Sequence, residues 1–264
     1  MSVPTQPKYN KTTLRGGVLI VNADDWGRDR QTTEHTLACI QRGTVSSTSA
    51  MVFMEDSARA AAVAREHGID AGLHLNLTSP FTTADCPGLL QEHQTRITRY
   101  LRRHRLAQTV FHPGLASSFD YVVKAQLDEY RRLYGAHPAR IDGHHHMHLC
   151  ANVVLGKLLP AGIIVRRNFT FQRGQKGLIN RLYRRFVDGK LRRRHRLPDF
   201  LFSLPPLEPV DRLRRIFSLA RFYAVEVETH PVNPDEYRFL TGEGIRQLTG
   251  DLPIASGFLL PHCN

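Results

Sequence analysis

Residues 141–148 read IDGHHHMH: an aspartate, a glycine, then four histidines in five positions. The run lies in mid-chain after a short apolar stretch, unlike an expression tag. Imidazoles this dense suit either a metal site or a polar loop. His144 and His148 also have the i, i+4 spacing that sets two imidazoles on one face of a helical turn. Matching chemistry recurs elsewhere. Asp24 and Asp25 follow the apolar run GVLIVNA, where one carboxylate can bind a metal while its neighbour handles a proton; an Asp pair also serves as a helix N-cap. His74 sits in GLHLNLT between Leu73 and Leu75, and His230 precedes Pro231 at the end of FYAVEVETHP. An Asp with two or more His is a ligand set suited to Zn²⁺ or another divalent ion with positions open for water. Such an ion lowers the pKa of bound water and polarises a carbonyl.

These residues need elements that bring them together. Hydrophobic patterning gives strands over 17–23, 46–53, 70–78, 138–143, 163–169, 222–231 and 255–262. Helices are expected over 32–43, 57–68, 117–135, 151–162, 211–220 and 244–253, several closed by glycine. The stretch around Pro80, Pro87 and Gly88 reads as a polar loop. Alternating strands and helices imply an α/β fold with a mostly parallel sheet. No Gly-rich phosphate fingerprint follows the first strand, which argues against dinucleotide binding. The pattern suits a single barrel-like domain over 17–264, behind a flexible N-terminal segment at 1–16. In a parallel α/β barrel the C-terminal strand ends share one face, where active sites are built. Asp24, Asp25, His74, the histidines of 144–148, Arg166 and His230 all fall at or near such ends.

Bulk properties bound the rest. The chain has 264 residues with 41% hydrophobic content, enough for a sizeable core and unlike a disordered chain. No run of about 18 apolar residues predicts a membrane-spanning helix, and the polar N-terminus lacks the apolar region of a secretory signal. Cys39, Cys86, Cys150 and Cys263 form no CxxC pair, which fits reduced thiols and a cytoplasmic location. The net charge of +12 is partly local: RLYRRFVDGKLRRRHR, residues 181–196, sets eight Lys/Arg against Asp188. Such a block could meet nucleic acid, an anionic membrane surface or an anionic substrate, or be a solvated helix face. Leu182, Phe186 and Leu191 would give a helix there a modest apolar side. A nucleic-acid-binding role accounts for the charge but not for acids and histidines at strand ends, so no nucleic-acid partner is expected.

VNADDWG, GLHLNLT, RIDGHHHMH and ETHP, in this order, resemble the YdjC-like carbohydrate deacetylases, which include chitooligosaccharide deacetylases and deacetylases of hopanoid biosynthesis clusters. The resemblance runs from residue 17 to about 240. It implies a distorted, polysaccharide-deacetylase-like (β/α) barrel, one divalent ion (Mg²⁺ or Zn²⁺) and hydrolytic removal of an acetyl group from an N-acetylated amino sugar. A homodimer is also implied. Carried over by position, Asp25, His74 and His144 are the metal ligands, Asp24 the base and His230 the acid. Arg166 would orient Asp24 or hold a substrate hydroxyl. His148 is a rival ligand, since HxxxH occurs in related polysaccharide deacetylases, but His144 is preferred; His148 and Asp142 then support the ligands or, for His148, meet the substrate. The family commonly has Phe where this chain has Trp26, a departure expected to reshape the pocket wall. Another metal-dependent amidohydrolase or phosphoesterase on the same scaffold is the alternative, because fold and metal do not fix the substrate.

Overall fold

The computed structural model describes residues 16–104, 106–171, 176–258 and 260. Among them run strands β1 (Val18–Trp26), β2 (Ser47–Ala50), β3 (Ala71–Leu75), β4 (Arg140–Gly143), β5 (Ile164–Val165), β6 (Phe200–Ser203) and β7 (Ala224–Thr229). The helices are α1 (Arg30–Gln41), α2 (Ser57–His67), α3 (Gly88–Leu101), α4 (Ala116–Tyr134), α5 (Ala151–Leu155), α6 (Leu178–Arg192), α7 (Val210–Leu219), α8 (Pro234–Thr241) and α9 (Gly244–Thr249). All strand pairs are parallel, in the order β5-β4-β3-β2-β1-β7-β6. That order is cyclic except for a break between β5 and β6. Across the break Ile164 bridges Arg196, and the Thr170 N–H donates to the Leu201 carbonyl at 2.8 Å. The curled sheet is therefore a distorted α/β barrel that lacks one full ladder.

Period-two alternation sorts the side chains. Leu19, Val21, Ala23, Val225 and Val227 pack outward with Leu213, Ile216 and Phe217 of α7. A larger core joins Leu73, Leu75 and Ile141 to Phe119 and Val122 of α4. Inward, Val18, Ile20, Ala224 and Phe258 form an apolar plug. Further along the same inward rows stand Asn22, Asp24, Glu226 and Glu228, all buried. The barrel interior thus changes from apolar to ionic toward the C-terminal strand ends.

The structure corrects several expectations. The presumed loop after Pro87 contains α3, whose Leu90, Gln94, Ile97 and Leu101 are buried at helical spacing; proline just before a helix start is compatible with entry rather than exit. Strand β6, FLFS, and helix α8 were not anticipated, since four residues after Pro198 offer too little pattern to read. Of the expected strand at 255–262, residues 255–258 and 260 carry none, and the neighbouring Ile254 makes only an isolated bridge to Leu19; the other positions, like the N-terminal segment up to residue 15, lie outside the described residues. Trp26 is fully buried in the sheet–helix core beside Ala50 and Met51 rather than on a pocket wall. Among the described residues, no helix is long and apolar enough to cross a membrane.

Candidate metal centre

Asp24 and Asp25 are adjacent in a strand, so regular alternation would point them to opposite faces. A register shift between Ala23 and Trp26 breaks that rule, and Asp25 has φ of 65°. A left-handed conformation at a non-glycine residue is uncommon and concentrates at functional sites. Here it turns Asp25 into the same space as Asp24. Asp25 Oδ1 lies 3.3 Å from His74 Nε2 and 2.9 Å from His144 Nδ1. The second oxygen, Oδ2, accepts from Arg28 Nη1 at 3.0 Å.

His74, on β3, is held from behind. Its Nδ1 donates to Asp142 Oδ1 at 2.7 Å, which turns Nε2 toward Asp25, where it would offer its lone pair to a metal ion once its proton is released. This carboxylate–histidine arrangement fixes the tautomer of a metal-ligating imidazole. Asp142, on β4, also accepts from Ser49 Oγ and pairs with Arg166 Nη2 at 2.9 Å. Burial would raise its carboxyl, but the charges of Arg166 and His74 hold it well below the usual range.

The histidine run splits four ways. His145 and His146 have φ of 54° and 58°, so 144–149 is a kinked 3-10 stretch and not the helical turn that would pair His144 with His148. His144 turns to Asp25, and His145 Nδ1 meets Thr78 Oγ1 at 2.9 Å. His146 Nε2 pairs with Glu228 at 3.1 Å. His148 Nε2 donates to the Arg166 carbonyl at 2.9 Å. Burial pushes the His148 imidazole down to about 3, so it is a neutral support for the end of β5. Gly143 lies tightly against it: a Cβ there would stand 3.0 Å from the His148 Cβ and backbone nitrogen, which would have to give way by a few tenths of an ångström.

Arg166 anchors the ionic layer from its centre. With 1% of its side chain exposed, it binds Asp24 through two contacts of 2.6 and 2.7 Å, Glu226 at 2.6 Å and Glu228 at 3.2 Å. Its guanidinium thus grips both oxygens of Asp24 from within the barrel and is closed off from solvent. Asn22 Nδ2 adds a bond of 2.9 Å to Asp24 Oδ1. Asp24 Oδ2 is 3.9 Å from His74 Nε2, and donor atoms of Asp24, Glu228 and His230 lie within 4.8 Å of one another. Glu226 and Glu228 escaped the sequence reading. Their signal was the alternation of charge with valine in AVEVET, since glutamates facing the inside of a two-sided buried strand need a cationic partner.

The donor set fits a divalent ion. Asp25, His74 and His144 offer one ligand atom each, all within 4.8 Å of one another. A tetrahedral ion with bonds of about 2.0–2.1 Å spaces its ligands by roughly 3.4 Å, close to the 2.9 and 3.3 Å contacts of Asp25. Charge points the same way. Burial would lower the His74 imidazole, yet the carboxylates of Asp24, Asp142 and Asp25 raise it well above the ordinary value. Burial likewise would raise Asp25, but His144 and His74 hold it far below. A pocket that draws a proton onto a buried histidine is short of positive charge, and a bound cation supplies it while releasing that proton.

Three comparisons bear on this centre. The model of the YdjC-like protein family matches residues 18–248. A chitooligosaccharide deacetylase of Serratia marcescens is 34% identical over 136 residues, 50% of this chain and 51% of that protein. A carbohydrate deacetylase of Mus musculus is 33% identical over 140 residues, 51% of this chain and 44% of the other. The chain spans about half the length of the curated relatives it matches. A solved structure of a candidate cellobiose-phosphate cleavage protein from Enterococcus faecalis V583 aligns with a TM-score of 0.62 and 18% identity, over 90% of this chain and 96% of that one. This last likeness concerns the fold alone. Because the family match extends from β1 to α9 and takes in every strand end that carries the centre, the chain belongs to the YdjC-like family.

Proposed function

We propose that this protein is a metal-dependent carbohydrate deacetylase that hydrolyses the acetyl group from an N-acetylated amino sugar. The observation that carries the reading is the convergence of Asp25, His74 and His144 beside Asp24 and His230, in a family whose curated relatives bear deacetylase names. An amide resists hydrolysis because its carbonyl is a weak electrophile and its amine a poor leaving group. A divalent ion, Mg²⁺ or Zn²⁺, held by Asp25, His74 and His144 would lower the pKa of a bound water and polarise the acetyl carbonyl. Asp24 accepts the proton of the attacking water. Arg166 and Asn22 fix its orientation, and its Oδ2 edges onto the ligand cluster. His230 delivers a proton to the amine nitrogen as the C–N bond breaks. Its half-buried position beside Asp24 and Glu228 lets it face both the ionic layer and solvent. Asp142 and Arg166 act behind these groups as positioning residues.

The test is acetate release from N-acetylglucosamine oligomers, with mass spectrometry for the loss of one acetyl group. Activity should need added Mg²⁺ or Zn²⁺ and vanish in Asp25→Ala. Phosphate release from a phosphorylated sugar, with no acetate from any acetylated glycan, would instead establish a phosphoesterase on the same scaffold.

A further inference from the structure

Helix α6 has an outer face that packing on the barrel does not explain. Val187, Asp188 and Leu191 face inward and are buried. Opposite them, Leu178, Ile179, Leu182 and Phe186 are exposed at 68%, 85%, 55% and 54%. At 100° per residue, Leu178, Leu182 and Phe186 form one stripe, with Ile179 at its edge. Arg181, Arg185 and Arg192, all exposed, form a second stripe alongside. Single exposed apolar residues are ordinary, but four large ones on one helix face form a patch of the kind that marks an interaction site.

Two anchors fix where the patch lies. Asp188 bonds Asn168 at 2.8 Å and Arg167 at 2.8 Å, just past the C-terminal end of β5. Farther along, Arg196 bridges Ile164 within β5 itself. From Arg196 back to Asp188 the chain therefore climbs toward the C-terminal strand ends, and the part of α6 before Asp188 continues beyond them. At about 1.5 Å per residue, Leu178 lies roughly 15 Å along the helix from Asp188. The apolar stripe thus rises from the rim that carries the metal centre.

We propose that α6 docks this protein onto an anionic phospholipid surface, with the catalytic rim turned toward the bilayer. Charge complementarity selects this occupant. A second copy of the chain would bring two arginine stripes together, and a nucleic acid would leave Leu178, Ile179 and Leu182 without a partner. An anionic bilayer satisfies both stripes, because the apolar side enters the headgroup–acyl boundary while the arginines meet lipid phosphates. Docking of this kind stands independently of which bond the centre hydrolyses.

The experiment is co-sedimentation of the full chain with vesicles of phosphatidylcholine alone and with about a third phosphatidylglycerol. Binding should require the anionic lipid and fall steeply with added salt. Replacing Arg181, Arg185 and Arg192 by Gln should weaken it by roughly fivefold per charge, on the order of a hundredfold together. The Leu178→Ser, Ile179→Ser, Leu182→Ser, Phe186→Ser variant should lose it too, with an unchanged melting temperature. Vesicle binding by that variant equal to the parent's would reduce the effect to diffuse charge and overturn the proposal. So would absence of binding to anionic vesicles, or a parent dimer that the Ser variant splits while leaving vesicle binding intact.

Discussion

Arg166→Met tests whether the ionic layer is held together from its centre. Methionine keeps much of the arginine's length and apolar contact but removes the guanidinium. Asp24, Asp142, Glu226 and Glu228 then lose contacts of 2.6 to 3.2 Å while remaining buried. Removing one partner of a buried ion pair costs about 3–5 kcal/mol. At about 2–4 °C per kcal/mol for a chain near this size, the melting temperature should fall by roughly 6–20 °C. The loss should also depend on pH. Burial already pushes the Glu226 carboxyl up to about 7 against the pull of Arg166, so without that guanidinium it rises further, the folded variant keeps a proton there that the unfolded chain has lost, and the variant loses stability as pH rises. Melting curves by circular dichroism in chelator, at pH 5 and pH 8, should show a wider gap between parent and variant at pH 8. A fall under about 2 °C, or a gap that ignores pH, would mean the carboxylates are accommodated without Arg166.

Three further outcomes follow from the same contacts. Asp142→Asn should weaken divalent-metal affinity by about 10–100-fold, read by titration calorimetry, because His74 Nδ1 loses its carboxylate partner; unchanged affinity would remove Asp142 from the site's support. Asp24→Asn should retain bound metal while turnover drops by about 10²–10⁴, whereas Asp25→Asn should lose the metal itself; equal metal loss in both variants would refute the division between them. Burial, only partly offset by Arg166, pushes the Glu226 carboxyl from 4.5 up to about 7, so its protonated form stabilises the fold at low pH and that contribution is lost as pH rises through about 7. Relative to the parent, Glu226→Gln should gain about 3 kcal/mol between pH 4.5 and 7; a parent–variant difference that stays constant with pH would contradict this.

How much of this centre a sequence can reveal depends on which physical rule places each residue. His74, His144 and His230 were legible because parallel strands carry their ends to one face, and an apolar run followed by a polar residue marks such an end. Asp25 was legible as a candidate, but its aim was not. Strict alternation would point it away from Asp24, and only the bulge with its left-handed residue brings the two together. The histidine run hid its organisation for the same reason, since two consecutive left-handed residues defeat both helical and strand periodicity. Helix α3 and strand β6 were lost to weak or short patterns. Arg166 is a different case. Nothing local distinguishes it from Arg167, yet one guanidinium sits inside the barrel and its neighbour pairs with Asp188 nearer the surface.

That contrast shows how fold and site depend on each other. A buried arginine surrounded by Asp24, Asp142, Glu226 and Glu228 is a costly core, and hydrophobic replacements of such networks are often neutral or stabilising. Its persistence here has a chemical reason. Arg166 neutralises part of the charge, which keeps Asp142 ionised and holds both Asp24 and Asp142 in place inside the barrel. The remaining negative charge lies where Asp25 and His74 face each other. A second buried arginine at that point would complete the balance and stabilise the barrel, but it would occupy the place a metal ion would take. Offset instead by Arg28 and by a proton on His74, the charge stays available to a metal ion that would displace that proton.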